Sequence, residues 1–409
     1  MTLHSLRLAI VTTHPIQYYA PLFRALAQLG TLDLHVFYTW SQAATQGRRD
    51  PGFGRAVDWD IPLLDGYQHR FVANAAERPG TDRYHGIINP SLNAEIAGWR
   101  ADALLIFGWN VHAHLGAMRH FKGRVPIFFR GDSTLLDPQP WWRRAARRAL
   151  LIWVYRHVDV AIAVGSNNRD YYRWCGLPCS RIETVPHSVD TRRFGAEDQQ
   201  QNARAAQLRG QLGIAPDALV FLFAGKLQTK KSPDLLLAAF LQLTRGRGCG
   251  RPLHLVIVGN GELECVLKER AAAEPRIHFL PFQNQSAMPA VYRLGDVFIL
   301  PSGGPGETWG LALNEAMASG RPIIASSRVG GARDLVDPGK TGWLFEAGDR
   351  DGLLAVLCEA AAAHGESLQR MGENARAASA RWSAEECARR IDVIIASRAA
   401  ARPAIAGLQ

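Results

Sequence analysis

Short apolar runs alternate along the chain with stretches of helical period, a pattern that predicts βαβ units around parallel sheets. In the first half, strands are expected at 7–13 (RLAIVTT), 34–40 (LHVFYTW), 103–109 (ALLIFGW), 125–131 (VPIFFRG) and 160–166 (VAIAVGS). Helices are expected between them at 18–29, 90–100, 140–157 and 167–175, and RIETVPHSVD, from Arg181, closes that half. A polar stretch containing AEDQQQNAR breaks the alternation. It restarts with VFLFAGKL at Val220, LHLVIVGNG at Leu253, IHFLPF at Ile277, VFILPS at Val297 and PIIASS at Pro322. Helices are expected here at 232–243, 262–273, 287–294 and 310–319. Two such sets predict an α/β chain of two Rossmann-like, doubly wound domains facing a central cleft, with ligands at the C-terminal strand ends. The expected division is a first domain at 1–190, a linker at 191–205 and a second domain at 206–380. A closing segment, 381–409, is expected to form a helix that packs back across both.

Length agrees with this division, since 409 residues exceed what one compact core normally holds. Charge narrows the partners. Lys and Arg number 47 against 37 Asp and Glu, a formal net charge of +10, which favours anionic partners. No zinc-finger or RNP-type signature appears, so nucleic acid is not expected. Phosphorylated small molecules and an anionic membrane surface fit better. The six cysteines (Cys175, Cys179, Cys249, Cys265, Cys358 and Cys387) contain no CxxC pair, which points to a reduced, cytoplasmic setting. The apolar stretch near the N-terminus is too short for a signal sequence, and no run of 18 apolar residues predicts a membrane span.

The densest chemistry lies in GGPGETWGLALNEAMASGRP, from Gly303. It follows a buried strand and runs into a helix. Gly303, Gly304 and Gly306 allow close approach of the backbone, and the helix start offers N–H groups and positive dipole to an anion. Glu307 falls in the loop and Glu315 about two turns along the helix. Two readings stay open: a carboxylate pair flanking a bound group, or a dipole-favoured first-turn residue and a surface charge. A second segment, FAGKLQTKKSPDLLLAAF, ends its strand at Gly225 and carries Lys226 and Lys231 before a helix. Two cations at a parallel strand end can neutralise a departing diphosphate without a metal; equally, they can belong to a solvated loop.

The segment ETWGLALNEAMASG resembles the glutamate, seven residues, glutamate signature of glycosyltransferase family 4, which has the GT-B fold. Trp309 stands where that family places an aromatic, and the likeness continues through GRPIIASSRVGGARDLVDPGKTGWLFEAGD. The resemblance implies that Glu315 binds the ribose hydroxyls of a nucleotide-sugar donor and that Glu307 lies beside the sugar. It also implies that the backbone amides of Thr308, Trp309, Gly310 and Leu311 hold the distal phosphate. Lys231 matches the family's lysine; Lys226 stands in place of an arginine, which keeps the charge and loses the bidentate fork. Ser232 replaces the usual glycine. Gly259 and Gly261 in VGNGE are similar to the loop edging the nucleotide pocket, and FLPFQNQ, with Phe282, to the part that contacts the base. TVPHSVDTRRF, from Thr184, parallels a further family segment, with His187 and Ser188 replacing its Asn-Gly.

The first half departs more. THPIQYYAPL has no glycine-rich turn, and His14 and Gln17 are expected on an acceptor-side wall, His14 having a plain turn histidine as its alternative. Arg130 and Asp132 follow a strand where many family members carry a histidine. They are read as acceptor-side groups or as a structural Arg–Asp pair capping the next helix. Asp58-Trp59-Asp60 looks like a metal-binding carboxylate pair only outside its context, and His112, His114 and His120 read as a helix face, so no metal is expected. PWWRRAARRALLIWVYRHVD, from Pro140, gathers Arg143, Arg144, Arg147 and Arg148 on one side of a helix. Trp142, Ala145, Ala149, Ile152 and Trp153 gather on the other. This predicts either contact with an anionic membrane or an ordinary helix packed on its sheet.

The function implied is a retaining, metal-independent transfer of a hexose-type sugar from a nucleoside diphosphate, UDP foremost, to an acceptor hydroxyl. The acceptor expected is a glycan, glycolipid or small molecule, as in polysaccharide biosynthesis, and no cofactor is expected beyond the donor itself. The setting expected is cytoplasmic, peripheral on the inner membrane face. Two alternatives share the donor pocket: a nucleotide-sugar epimerase of the same fold and a non-catalytic nucleotide-sugar binder.

Overall fold

Both faces of the first sheet are covered, which is why its strands read as unbroken apolar runs rather than as alternations. In β1 (Leu6–Thr12) Ala9 and Val11 point into one core, and Leu8 and Ile10 into the other. The computed structural model describes residues 5–40, 49–50, 55–195, 199–245 and 251–400. They divide into two units. The first draws on Met1–Gln46, Pro62–Ser188 and Ala384–Gln409, the second on Gly47–Ile61 and Val189–Ser383.

The first unit continues with β2 (Leu32–Tyr38); a two-residue antiparallel pair, β3 (Arg49–Asp50) and β4 (Arg55–Ala56), belongs to the second. Then come β5 (Gln68–Phe71), β6 (Ala103–Phe107), β7 (Ile127–Gly131), β8 (Val160–Ala163) and β9 (Ile182–Thr184). Seven strands form one parallel sheet in the order β5-β2-β1-β6-β7-β8-β9. The second unit carries β10 (Leu219–Ala224), β11 (Leu253–Val258), β12 (Ile277–Leu280), β13 (Val297–Leu300), β14 (Ile323–Ser326) and β15 (Gly342–Phe345). These are also parallel, ordered β12-β11-β10-β13-β14-β15. Each sheet runs outward from its first strand and reverses direction, the doubly wound arrangement expected from the alternation.

Several elements were not anticipated. β5 is half exposed and polar in sequence. Residues 191–205, expected as a linker, include the helix Thr191–Gly195 and the start of the helix Gln199–Gln211. Helices Arg350–Ala362 and Gly365–Ser379 follow β15. The closing helix, Ala384–Ala400, packs in the first unit, where Cys387, Ala388, Ile391 and Ile395 meet Leu22, Phe23 and Leu26 of the helix Tyr19–Leu29. Among the described residues no helix is long and apolar enough to cross a membrane.

Candidate active site

The second sheet reverses its strand order between β10 and β13, and sheets of this kind bind ligands in the crevice at the C-terminal strand ends of such a point. The loop after β10 carries Gly225, Lys226 and Lys231; the loop after β13 carries Ser302 to Glu307. Glycine lets the two loops touch. The amides of Gly303 and Gly304 donate to the Lys230 carbonyl at 3.2 and 3.1 Å, and a Cβ on Gly304 would press on the Lys230 backbone. Ser232, the residue in the family's glycine position, adopts the left-handed conformation that glycine favours (φ 49°, ψ 45°). Its hydroxyl accepts a hydrogen bond from the Gly303 amide at 3.1 Å.

This contact joins the two charged residues. Lys231 Nζ lies 2.5 Å from Glu307 Oε2, with side chains only 18 % and 9 % exposed, and Ser302 Oγ donates to the same oxygen at 3.1 Å. The solvated-loop reading of Lys231 therefore fails. The Glu307 carbonyl accepts from the Gly330 amide at 3.0 Å, and a Cβ on Gly330 would overlap the Thr308 carbonyl. The loop is thus pinned from behind by the turn after β14. Trp309 is buried, donating from Nε1 to Asn314 Oδ1 at 2.8 Å. Gly310, at φ 90°, then turns the chain into the helix Leu311–Ala318. Glu315 is not a surface charge: it is 3 % exposed and accepts from Tyr292 Oη at 2.6 Å.

Beside the crevice, Gly259 (φ 134°) leaves no room for a Cβ against the Gly225 carbonyl. Gly261 is equally closed by the Leu227 backbone. Asn260, between them, accepts from the Leu227 amide through its carbonyl at 3.0 Å and from the Phe282 amide through Oδ1 at 2.8 Å. Sequence reasoning missed what comes next. Asp58-Trp59-Asp60 docks on this edge, within the second unit. Asn284 Nδ2 donates to the Asp58 carbonyl at 2.7 Å, the Ser286 amide and hydroxyl both donate to the Asp60 carboxylate, and the Trp59 ring lies 6.4 Å from that of Phe282. The carboxylates serve a loop-to-loop contact. Among the described residues no group of three or more His, Cys, Asp or Glu is placed to hold a metal.

The first sheet reverses between β1 and β6. His14 follows β1, with Nδ1 2.9 Å from Thr13 Oγ1 and its ring edge-on to Trp40; Gln17 is half-buried at the entry to the next helix. Arg130, expected on the acceptor side, is instead 2 % exposed. It donates from Nη1 and Nη2 to the carbonyls of Val185 and Pro186, each at 2.7 Å. Burial pushes this guanidinium below arginine's usual range. It also holds the adjacent His187 neutral, an effect that Arg130 reinforces. Asp132 stays half-buried past the end of β7. His114 is wholly buried, linked through Nε2 to Thr39 Oγ1 at 2.9 Å and through Nδ1 to the carbonyls of Phe107 and Gly108 at 3.1 and 3.0 Å. Burial pushes its pKa down to about 4.

The basic helix is Trp141–Tyr155. Only Leu151, Val154 and Tyr155 are buried, whereas Trp141 and Trp142 are 82 % and 54 % exposed and Leu150 and Ile152 are exposed as well. The apolar side expected to cover the sheet is thus largely in solvent.

Two family models match the chain: "Glycosyltransferase Family 4" over residues 17–193 and "Glycosyl transferases group 1" over residues 205–378. The D-inositol 3-phosphate glycosyltransferase of Rhodococcus erythropolis is 32 % identical over 368 residues, covering 83 % of this chain and 80 % of that one. The enzyme of the same name from Nocardia farcinica is 27 % identical over 413 residues, covering 92 % and 86 %. Among solved structures, HepE of Anabaena in complex with UDP and glucose superposes with a TM-score of 0.69 at 19 % identity, covering 96 % of this chain and 100 % of that one.

Proposed function

The chain belongs to glycosyltransferase family 4, with the GT-B fold, and from that premise we propose that it is a retaining transferase that takes a hexose from UDP without a metal. The observation that carries this reading is the Lys231–Glu307 contact at the switch point of the second sheet. Lys231 and Lys226 would receive the charge of the leaving diphosphate, and the amides from Thr308 to Leu311 would hold its distal phosphate. As the bond from the anomeric carbon to phosphate breaks, the acceptor hydroxyl attacks from the same face and passes its proton to the departing phosphate oxygen. Glu307 would stand beside the sugar, and Glu315, held by Tyr292, would take the ribose. Phe282, with Trp59 beside it, would flank the base. UDP as donor nucleotide draws support from the HepE complex with UDP and glucose. UDP release from UDP-hexoses in the presence of EDTA tests the proposal. Activity that EDTA abolishes and manganese restores defeats the metal-free part, and sugar epimerised without acceptor points to the epimerase instead.

The acceptor proposed is a glycolipid or lipid-linked glycan met at an anionic membrane surface. Four arginines and two exposed tryptophans on the helix Trp141–Tyr155 support it, since basic residues near anionic lipid contribute about 1 kcal/mol each and tryptophan suits the head-group boundary. A second reading, a soluble polyol phosphate, is favoured by the names of the Rhodococcus and Nocardia relatives. Flotation with anionic vesicles at low salt, lost at high salt, supports the lipid acceptor. Failure to float leaves the soluble one.

A further inference from the structure

Between β5 and the helix Leu92–Gly98 the first unit runs through residues 72–91, with a single turn of 3-10 helix, Tyr84–Gly86, as the regular element. Segments longer than about 12–15 residues without their own secondary structure are uncommon in compact domains, and the ordered ones are generally functional. Two asparagines order this one. Asn89 is buried and directs Nδ2 at the carbonyls of Thr39, Val72 and Ala73, 3.0, 3.0 and 2.8 Å away, just past the ends of β2 and β5. Asn74 accepts through Oδ1 from the Ala76 and Ile88 amides at 3.1 and 2.9 Å, and donates from Nδ2 to the Gly86 carbonyl at 3.0 Å. The Gly80 amide donates to that same carbonyl at 3.1 Å, and a Cβ on Gly86 would overlap the Gly80 carbonyl. The Ala113 amide donates to the Ile87 carbonyl at 3.2 Å, which fastens the turn to the start of the helix His112–Phe121.

That helix leaves β6, one of the two strands between which the first sheet reverses, so the turn is held at the strand ends where ligands of such sheets sit. What it presents there is a set of rings. His85 stacks on His112 with centroids 5.7 Å apart, and Tyr84 stands edge-on to both, at 4.9 and 5.8 Å. Both histidines are exposed and Tyr84 is half-buried. Among the described residues neither imidazole nor the Tyr84 hydroxyl has a hydrogen-bond partner. The other histidines of this helix differ: His114 is tied through both ring nitrogens, and His120 Nε2 lies 2.8 Å from Arg124 Nη1. Ring side chains fixed in this way offer contact area at low entropic cost. Their electron-rich faces suit C–H groups, and their polar atoms both donate and accept. A polyhydroxylated six-membered ring has the matching surface, an apolar C–H face with hydroxyls at its edge. Arg83, beside Tyr84, pairs with Asp82 at 3.1 Å, so the surroundings of the rings suit a neutral group rather than an anion.

We propose that Tyr84, His85 and His112 form an acceptor platform in the first unit, on which a polyhydroxylated six-membered ring, a terminal sugar or a cyclitol, stacks. The inference rests on the transferase reading above and specifies the groups that meet the acceptor.

Hydrogen exchange tests it with three probes: methyl α-glucoside, myo-inositol, and octyl glucoside below its micelle concentration. A ring seated on the platform should slow exchange in segments 80–88 and 109–116. His85→Ala and His112→Ala should each raise the titration midpoint about tenfold, the scale of one lost ring contact. Both positions are exposed, so the variants should keep the parent's unfolding midpoint. Protection by octyl glucoside alone assigns the platform to a lipid-linked ring, and protection by the lipid-free probes alone assigns it to a soluble one. UDP, tested in parallel, should protect 303–311 equally in parent and variants; its failure to do so in the parent counts against the donor reading and not against the platform. Absence of protection at 80–88 with all three probes, or protection undiminished in both variants, overturns the proposal.

Discussion

The two sheets reverse at equivalent places, yet they spend their polar residues differently. At the β10/β13 point, glycines bring two loops into backbone contact and leave a Lys–Glu pair and a helix start at the strand ends. At the β1/β6 point, the polar residues turn inward: His114 ties β2 to the loop after β6, and Arg130 ties β7 to the segment after β9. The first arrangement can hold a charged ligand. The second fixes a wall, with the buried Trp40 edge-on to His14. The lesson is that charge near a strand end carries functional weight only when its partners leave it facing the crevice. Arg130 and Lys231 look alike in sequence and differ in exactly that respect.

Replacing one member of the Lys–Glu pair tests the comparison hardest. Lys231→Ala is expected to lower turnover by about 10²–10³-fold, as loss of a preorganised charge stabiliser does, with sugar transfer followed by UDP release. Lys226→Ala is expected to cost less. A Lys231→Ala enzyme within threefold of the parent would mean that the second unit's charges are as structural as those of the first.

Acid should strike the first unit preferentially. His114 has a folded pKa of about 4, whereas an unfolded histidine titrates near 6.5. The unfolded chain therefore binds the extra proton first, and stability is lost as pH falls from about 6.5 to 4. The shift corresponds to about 3 kcal/mol, and His187, also held neutral by burial, works in the same direction. Hydrogen exchange at pH 7 and pH 4.5 should show the strand 103–107 opening more readily at the lower pH, by a larger margin than 219–224. Equal margins would remove the buried histidine as the cause.

How much of this was legible follows from sequence distance. ETWGLALNEAMASG displays its glycines, its aromatic and both carboxylates within one strand–loop–helix, so site and family were readable together. The Lys231–Glu307 contact was suggested by motif but required the β10/β13 adjacency to become a distance. Arg130 was misplaced because its partners, Val185 and Pro186, are 55 and 56 residues away, and nothing at its own position signals them. The same holds for Asp58-Trp59-Asp60, which lies 226 residues from the loop it docks on. β5 was overlooked because QHRF is half exposed and lacks an apolar run.

That docked segment sharpens the comparison, since it comes from the first half of the chain and serves the second unit. If Trp59 and Phe282 flank a base, Trp59→Ala should weaken UDP binding by the worth of one aromatic–base stack, about 1–3 kcal/mol, while leaving pyrophosphate binding intact. Calorimetry with the two ligands distinguishes a lost stack from a collapsed site. Equal weakening of both would make Trp59 a support for the 282–286 loop rather than a contact of the base.

The smallest effect expected lies at Ser232, where this chain departs from the family's glycine and two opposed contributions meet. A left-handed conformation costs an L-residue about 1–2 kcal/mol relative to glycine, and the hydroxyl's bond to the Gly303 amide returns about 1 kcal/mol. Ser232→Gly removes both the strain and the bond, so its stability should stay within about 1 kcal/mol of the parent. Ser232→Ala keeps the strain and removes only the bond, so it should be destabilised by about 1 kcal/mol. Urea midpoints at constant m-value separate the two. If alanine is as stable as the parent, the serine hydroxyl contributes nothing to joining the loops. The Lys231–Glu307 geometry would then rest on the Lys230 carbonyl, which accepts from Gly303 and Gly304, and no side chain could tune it.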